Sequence, residues 1–206
     1  PYLREVPGMS FYRLMGSGKG MGFHPFPDWE VYCLLQVWDS ESYALKFFKN
    51  SRLISKYRSN AKEIWTVYMK NLTAHGNWSG SNPFQVGRPE EDNKVLAVIT
   101  RARIRPRLLL KFWNYVPESQ KPLEGNPGLI FTKGIGEIPI LNMATFSIWK
   151  DAQSLKHFAY HSEEHKKAIQ KTQELGWYSE ELFSRFQPYR TEGSWDNLNL
   201  KLNQTP

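Results

Sequence analysis

Cysteine and long apolar segments are what this 206-residue sequence has least of. The single cysteine, Cys33, cannot form an internal disulfide, which excludes the disulfide-stapled secreted domains and favours a reducing compartment. Its surroundings, VYCLLQVW, are typical of a buried strand, so we interpret Cys33 as an inert core thiol. No apolar run approaches the roughly 18 residues of a membrane span, and no signal peptide is recognisable, so a cytoplasmic location is expected.

The common signatures of hydrolases, zinc sites and nucleotide sites are also lacking. No Ser-His-Asp order, H-E-x-x-H or C-x-x-C occurs. The glycine series GSGKGMGF at 16–23 does not fit G-x-G-x-x-G, and a P-loop would need Ser or Thr where Gly20 stands. With its counterpart GIGE at 134–137, the series indicates a strand end where backbone passes close to something bulky.

Aromatic and basic residues, in contrast, are plentiful. Eight Trp and 12 Phe can pack a core or line a large apolar cavity. The formal charge of +7 suits an anionic partner such as a lipid headgroup surface, but the basic residues form no nucleic-acid arm. Four arginines alternate with other residues, at Arg101, Arg103, Arg105 and Arg107. This spacing is typical of the exposed face of a strand, and carboxylate recognition is the alternative interpretation.

The sequence contains an internal repeat. Residues 35–51 match residues 146–162, and the pairs are Trp38 with Trp149, Leu45 with Leu155, Phe48 with Phe158 and Ser51 with Ser162. HGNW at 75–78 matches EGSW at 192–195, and the segment that starts with PGMSF (7–11) matches the segment that starts with PGLIF (127–131). Three matches in the same order predict two copies of one structural unit.

Each copy is predicted to fold as strand, strand, helix, short helix and strand. The predicted elements are 9–15, 30–38, 40–49, 51–61 and 64–74 in the first copy, and 127–134, 140–149, 151–160, 162–174 and 181–190 in the second. The second copy also has a leading strand at 94–104 and a helix at 106–116, which complete a β-α-β-β-α-β order. The first copy lacks both, so we expect that a strand and a helix have been lost from the natural N-terminus.

These elements predict an α+β fold of tandem ferredoxin-like repeats, in which two sheets bury their bare faces against each other as in a dimeric α/β barrel. The predicted division is a first half at 1–78, a linker at 79–93, a second half at 94–195 that carries the cofactor ligand, and a tail at 196–206.

His165 is the candidate ligand residue. If Ser162 caps the following helix, His165 falls on the apolar stripe with Ile169, yet it aligns with Ile54 of the first copy. A buried neutral imidazole is most commonly a metal ligand, and a haem iron needs one such ligand with its other axial position open. A histidine that is merely buried and hydrogen-bonded is the alternative.

Other histidines offer further sites. The spacing of His157, His161 and His165 suits a three-histidine metal site only if one unbroken helix carries them, and a helix start at Ser162 argues against this. His24 and His75 lie in loop-like contexts, where either would be available as a distal group.

Motifs along nearly the whole chain, from about Pro7 to Trp195, include FYRLMGSGKGMGFHPFPDWEVYCLLQVW, HGNWSG, TRARIRP, FTKGIGEIP, ATFSIW, EHKKAI and ELFSRF. Together they resemble the spheroidene monooxygenase family of carotenoid biosynthesis. The resemblance implies a haem b (iron) enzyme that uses O2 to hydroxylate and ketolate an acyclic carotenoid. It implies His165, within EHKKAI, as the proximal iron ligand, and Ile169, on the same apolar stripe of the helix, is the second predicted cofactor-binding residue.

The partners that follow from the resemblance are an apolar small-molecule substrate, O2 and an electron donor, without nucleic acid. Because a carotenoid would be drawn from a membrane, a basic face that contacts the membrane peripherally is expected, and homo-oligomerisation is left open. The alternatives on this fold are a haem enzyme of dehydratase or peroxidase type, a non-catalytic haem or apolar-ligand carrier, and a cofactor-free interaction module.

Overall fold

The computed structural model describes residues 3–22, 24–90, 93–138, 140–161, 170–172 and 174–196, together with residues 198, 200 and 202. The elements of the first half are β1 (Met9–Gly18), β2 (Pro27–Trp38), α1 (Glu41–Asn50), α2 (Arg52–Asn60) and β3 (Trp65–Gly76). Those of the second half are β4 (Leu96–Ile104), α3 (Leu109–Gln120), β5 (Leu129–Ile138), β6 (Asn142–Trp149), α4 (Ala152–His161) and β7 (Tyr178–Gly193). The predicted order of elements is confirmed, although most of the predicted helix at 162–174 lies outside the described residues.

Local sequence signals set several of these boundaries. Ser51 caps α2, because its hydroxyl accepts the amide of Leu53 at 3.2 Å. Asp151 does the same for α4, where its carboxylate accepts the amide of Ser154 at 2.7 Å. These hydrogen bonds lower the pKa of Asp151, so the cap is charged at neutral pH.

The second half has the strand order of a ferredoxin-like unit. Its sheet runs β5-β6-β4-β7, and each neighbouring pair is antiparallel. The leading strand β4 therefore lies between β6 and β7, the two strands that the α4 crossover connects. Burial on both faces of β4 explains its nearly continuous apolar sequence, which includes the fully buried Ala97 and Ile104.

The first half is attached to both edges of the second. β1 pairs with β5 where Gly16 lies opposite Gly136, and β3 pairs with β7 along its whole length. The result is one seven-stranded sheet in the order β2-β1-β5-β6-β4-β7-β3. The predicted α+β class with tandem ferredoxin-like halves is confirmed, but the halves share a continuous sheet instead of stacking two sheets. Among the described residues, no strand lies between β2 and β3, the position that β4 has in the second half.

The sheet curls into a barrel-like shape around a common core. Trp65 of β3 and Phe131 of β5 are four strands apart in the sheet, yet their ring centroids are only 5.0 Å apart. The connecting segment after β3 inserts Phe84 against Phe186 of β7 at 4.9 Å, and the C-terminal tail contributes Leu200. The core also contains Met15, Ile99, Ile135, Ala144, Ile148 and Leu182.

The helices cover the outer face of the sheet at equivalent places in the two halves. Phe47 of α1 contacts Trp38 of β2 with ring centroids 5.2 Å apart, and Phe158 of α4 contacts Trp149 of β6 at 5.1 Å. The predicted pairing of Phe48 with Phe158 is therefore wrong by one residue. The tryptophan and serine matches of the repeat share one offset along the chain, and that offset already pairs Phe47 with Phe158.

The same one-residue shift applies to the neighbouring core position. Ala44, which is buried, and not Leu45, is the counterpart of the buried Leu155. Ile54 of α2 is also buried, at 5% exposure. The position that aligns with His165 is therefore a core position in the first half.

Candidate functional site

The predicted cofactor residues His165 and Ile169 lie outside the described residues, so their roles stay a prediction. The described residues that flank them along the chain are fastened to the outer face of the second half. Before them, Phe158 packs on the end of β6. After them, Thr172 accepts a hydrogen bond from Trp177 Nε1 at 3.0 Å. Both flanks of the predicted ligand segment therefore lie against one side of the sheet.

A groove of about 160 Å³ lies on this outer face, where β3 ends and β7 begins. We call it the outer groove, and its lining includes His75, Gly76, Thr100, Tyr178, Glu181 and Phe183. Thr100 and Phe183 alternate with the core residues Ile99 and Leu182, so their side chains point away from the core.

Tyr178 connects the outer groove to the flank of the predicted ligand segment. It directly follows Trp177, whose Nε1 donates to Thr172 at 3.0 Å. Desolvation by burial raises the pKa of Tyr178 to about 12, so the phenol is neutral at physiological pH. The groove therefore has a wall residue that can donate a hydrogen bond without placing a charge beside an apolar ligand.

The two loop histidines occupy different surroundings. His75, near the end of β3, is exposed at the outer groove. His24 lies in the connection between β1 and β2, where its Nδ1 accepts the amide of Phe26 at 3.2 Å. Of these two, His75 is the one placed to act on a ligand in the outer groove.

A metal site made of several protein ligands has no support within the described chain. No group of three His, Cys, Asp or Glu side chains there is arranged to hold a metal ion. His157 is exposed on α4. The three-histidine hypothesis also needs His161 and His165, whose side chains are outside the described residues, so it stays a prediction.

A cluster of charged residues that sequence reasoning missed closes one end of the barrel-like sheet. Arg101 of β4 is 2% exposed and forms an ion pair with Glu180 of β7. Its Nη2 lies 3.8 Å from Glu137 of β5, which Arg13 of β1 binds at 2.5 Å. Trp78 Nε1 also donates to Glu137, at 3.0 Å. We call these five residues the inner charged cluster.

The inner charged cluster corrects the interpretation of the arginine series as an exposed strand face. Arg101 shares its side of β4 with Ala97 and Ile99, which belong to the buried core. The parity of the strand was therefore a signal that Arg101 points inward. The partners could not be found in this way, because Glu137 and Glu180 belong to two other strands.

Glu180 connects the cluster to the loop that follows β3. Its carboxylate accepts the amides of Ser79 at 2.9 Å and Gly80 at 2.7 Å. Desolvation acts to raise the pKa of Glu180, but these amides and the Arg101 guanidinium outweigh it, so the pKa is lowered. The cluster holds together the ends of β3, β4 and β7, which frame the outer groove, and Arg101 itself reaches the lining of that groove.

The other three arginines of the series line a second groove. β4 ends at Ile104, so Arg105 and Arg107 lie in the turn that leads to α3. Arg105 Nε donates to the carbonyls of Gly176 at 2.8 Å and Tyr178 at 3.1 Å. This arginine groove has a volume of about 520 Å³ and is lined by Arg103, Arg105, Pro106, Arg107, Leu141 and Ser179.

Haem is the cofactor that the sequence interpretation implies, and two aromatic residues of the outer groove are of a kind that would contact it. Tyr178 and Phe183 are aromatic side chains of the kind that pack on a porphyrin. The described wall holds the imidazole of His75 and the carboxylate of Glu181, and no thiol. An imidazole can bind iron, so His75 is the candidate ligand among the described residues, while the predicted ligand His165 lies outside them.

Relatives of this chain cover most of its length. A spheroidene monooxygenase from Rhodobacter capsulatus is 40% identical over 196 residues, which are 94% of this chain and 81% of the relative. A spheroidene monooxygenase from Cereibacter sphaeroides is 34% identical over 195 residues, which are 94% of this chain and 60% of the relative. No protein-family model matches the chain.

Two solved structures are similar at lower identity. A protein from Fusobacterium nucleatum, provisionally assigned as a monooxygenase, is 12% identical with a TM-score of 0.46, over 94% of this chain and 82% of that one. A protein from Lactobacillus acidophilus with the same provisional assignment is 9% identical with a TM-score of 0.44, over 92% of this chain and 81% of that one.

Proposed function

Because this chain belongs to the spheroidene monooxygenase family, we propose that it is a haem-dependent monooxygenase that acts on an apolar substrate, an acyclic carotenoid. The reaction uses O2 and an external electron donor to hydroxylate one carbon, and a second hydroxylation of that carbon gives a keto group on loss of water. The observation that supports this proposal is the outer groove, which lies on the face to which both described flanks of the His165 segment are fastened.

The proposal assigns the cofactor contacts to two sides of the groove. His165 is the iron ligand, and Ile169 is an apolar contact of the macrocycle. Tyr178 and Phe183 form the wall on the sheet side. Bound haem supplies the activation of O2, and the protein supplies position, access and polarity.

The described residues of the outer groove suit an apolar substrate. Phe183 is an apolar surface that excludes water, and the Tyr178 phenol is neutral, as an ordinary tyrosine is, and burial raises its pKa further, to about 12. Thr100 and His75 are polar side chains that can exchange a hydrogen bond with a bound ligand. His75 is exposed at the end of β3, so a ligand in the groove would meet it beside water.

An absorption spectrum tests the cofactor and its ligand. Protein expressed with haem supplied is expected to show a Soret band, which His165→Ala removes. The matched control is His157→Ala, an exposed histidine of the same crossover, which keeps the band. A colourless wild-type protein that stays colourless when haem is added contradicts the cofactor, and an unchanged spectrum in His165→Ala contradicts the ligand.

Oxygen consumption tests the reaction separately. With a reductant and an acyclic carotenoid, the haem-loaded protein is expected to consume O2 and to release hydroxylated and then keto products. A haem or apolar-ligand carrier would bind the carotenoid and consume no O2. That result would leave the spectrum intact and refute the monooxygenase activity.

A further inference from the structure

The arginine groove carries positive charge that the protein does not neutralise. Arg103 and Arg107 are exposed, and neither forms an ion pair with a carboxylate of the described residues. Arg101, two residues before Arg103, shows the contrast, because it is buried and paired with Glu180. Arg105 is held in place by two backbone carbonyls, which do not cancel its charge. The groove is therefore a preorganised site for anions.

Exposed apolar side chains lie next to these arginines. Leu110, at the start of α3, is 84% exposed, and Ile140, which precedes the lining residue Leu141, is 42% exposed. Ile140 has φ of 73°, a conformation that β-branched residues rarely adopt. Trp113 of α3 donates a hydrogen bond from Nε1 to the Ile140 carbonyl at 3.2 Å and so holds this tip in place. Guanidinium groups rimmed by exposed leucine and isoleucine are typical of a surface that meets a lipid interface.

We propose that the arginine groove and its apolar rim form a docking surface for anionic phospholipid bilayers. The guanidinium groups bind headgroup phosphates, and Leu110 and Ile140 enter the boundary between headgroups and acyl chains. A lipid surface suits this site better than nucleic acid or free phosphate does, because only a bilayer offers phosphates and apolar groups together.

The docking surface lies close to the outer groove along two strands. Ser179 lines the arginine groove and Tyr178, the preceding residue of β7, lines the outer groove. Arg103 and Thr100 are likewise close neighbours on β4. Successive residues of a strand point to opposite faces of the sheet, so Arg103 and Thr100 place the two grooves near each other along β4 but on different faces. Docking itself does not rest on the proposed function.

Vesicle co-sedimentation of the full chain tests the docking surface. Wild-type protein is expected to bind phosphatidylglycerol–phosphatidylcholine vesicles, to bind pure phosphatidylcholine weakly, and to release as ionic strength rises. The double variant Arg103→Gln/Arg107→Gln is expected to lower the partition coefficient by roughly 20- to 30-fold, since each arginine at an anionic surface contributes about fivefold. The control is Arg52→Gln/Arg58→Gln on α2, which removes the same charge from two exposed arginines elsewhere and should have a far smaller effect.

A second pair of variants tests the apolar rim. Leu110→Ser is expected to weaken vesicle binding, and Val86→Ser, at a valine that is 69% exposed in the linker, is its matched control. Circular dichroism confirms that each variant is folded. Because all these measurements can be made with and without haem, a failure of docking and a failure of the proposed function are distinguishable.

Several outcomes overturn the proposal. Equal binding to anionic and neutral vesicles, or an equal loss in the Arg52/Arg58 control, removes the role of the arginine groove. Binding that depends on the exposed Trp29 at the start of β2 and not on the arginines assigns docking to that surface instead. Binding of inorganic phosphate or duplex DNA, lost in Arg103→Gln/Arg107→Gln and without vesicle binding, assigns the groove to a different anion.

Discussion

In the second half of the sheet, β4 fills the space between β6 and β7, whereas in the first half no described strand separates β2 from β3. The consequence is visible in the matched tryptophans under the two crossovers. Trp149 is 1% exposed, but Trp38, which makes the same contact with a helix phenylalanine, is only half-buried. The extra strand β4 therefore buries the tryptophan of its neighbour β6, whereas the helix residue Phe47 is buried, at 9% exposure, without such a strand.

The two ends of the barrel-like sheet differ less. Trp78 packs on Phe11 with ring centroids 5.6 Å apart, and its repeat counterpart Trp195 packs on Phe131 at 5.2 Å. The glycines that precede them, Gly76 and Gly193, have φ of 88° and 77°. A Cβ atom at Gly76 would collide with the backbone carbonyl of Glu181, and a Cβ atom at Gly193 would collide with that of Ile64. The HGNW and EGSW motifs therefore form the same glycine-dependent turn at both ends of the sheet.

A glutamate also binds the loop at each end of the sheet, but the two glutamates differ in their other partners. Glu63 accepts the hydroxyl of Ser194 and the amide of Asp196, both at 2.9 Å. Glu180 accepts two loop amides in the same manner, but it also pairs with the buried Arg101. The inner charged cluster is therefore an addition to one end of an otherwise repeated design.

The largest expected difference between the halves is in the stability lost when the strand tryptophan of each half is replaced by alanine. Trp149→Ala should lower the free energy of unfolding by about 3–5 kcal/mol, as for other fully buried aromatic residues. Trp38→Ala should lower it by about 1–2 kcal/mol, because less apolar area is removed from water at this half-buried site. Urea unfolding followed by circular dichroism measures both, and equal losses would show that the first half is as tightly packed as the second.

A smaller, pH-dependent difference is expected between the two loop-binding glutamates. Glu180→Gln should lower stability at pH 7 by about 1–2 kcal/mol, because it leaves Arg101 with less compensating charge. The folded pKa of Glu180 is lowered, so its stabilisation is complete above the ordinary glutamate pKa of about 4.3 and is lost as pH falls through the folded value.

The difference between wild type and Glu180→Gln should therefore shrink on acidification. The matched control is Glu63→Gln. The pKa of the Glu63 carboxylate is also lowered, because the Asp196 amide and the Ser194 hydroxyl donate to it, but this carboxylate lies in solvent and pairs with no buried arginine among the described residues. Unfolding curves measured from neutral to acidic pH check both variants. A Glu63→Gln variant with the larger effect would contradict the importance of the buried pair.

The smallest effect expected is local and concerns the edges of β2 and β3. Their amides that face the space between the two strands should exchange with deuterium at least about tenfold faster than those of β4, because exposed strand edges open at lower free energy. Hydrogen exchange read out by mass spectrometry or NMR measures this. Equal protection of β2, β3 and β4 would indicate that something covers those edges in solution.

Docking on a membrane was expected from the net charge of the whole chain, but composition could not locate a surface. None of the described helices combines the length and apolar character that crossing a bilayer requires. The arginine groove became recognisable only when the turn after β4 brought Arg105 and Arg107 beside Ser179 of β7. The alternating arginines at 101–107 could not by themselves reveal a surface that also needs a distant segment of the chain.

The order of strands and helices, the repeat and the family were all readable from the sequence, because each depends on local patterns or on similarity along the chain. The register of α1 was readable too, because the offset shared by the Trp38–Trp149 and Ser51–Ser162 matches pairs Phe47 with Phe158. The sequence could not place His75 at the outer groove and His24 away from it. That difference depends on which strand ends meet.

By itself, the sequence determined the fold class of this protein, since apolar periodicity and a repeated strand-strand-helix-strand order leave few ways to bury the apolar residues. Only the tertiary structure decided which arginines are buried and paired and which are exposed. Arg101 became a buried member of a cluster because β5 and β7 bring Glu137 and Glu180 to it, while Arg103 and Arg107 remained exposed. Ion pairing depends on distance in space, and the curl of the sheet sets that distance.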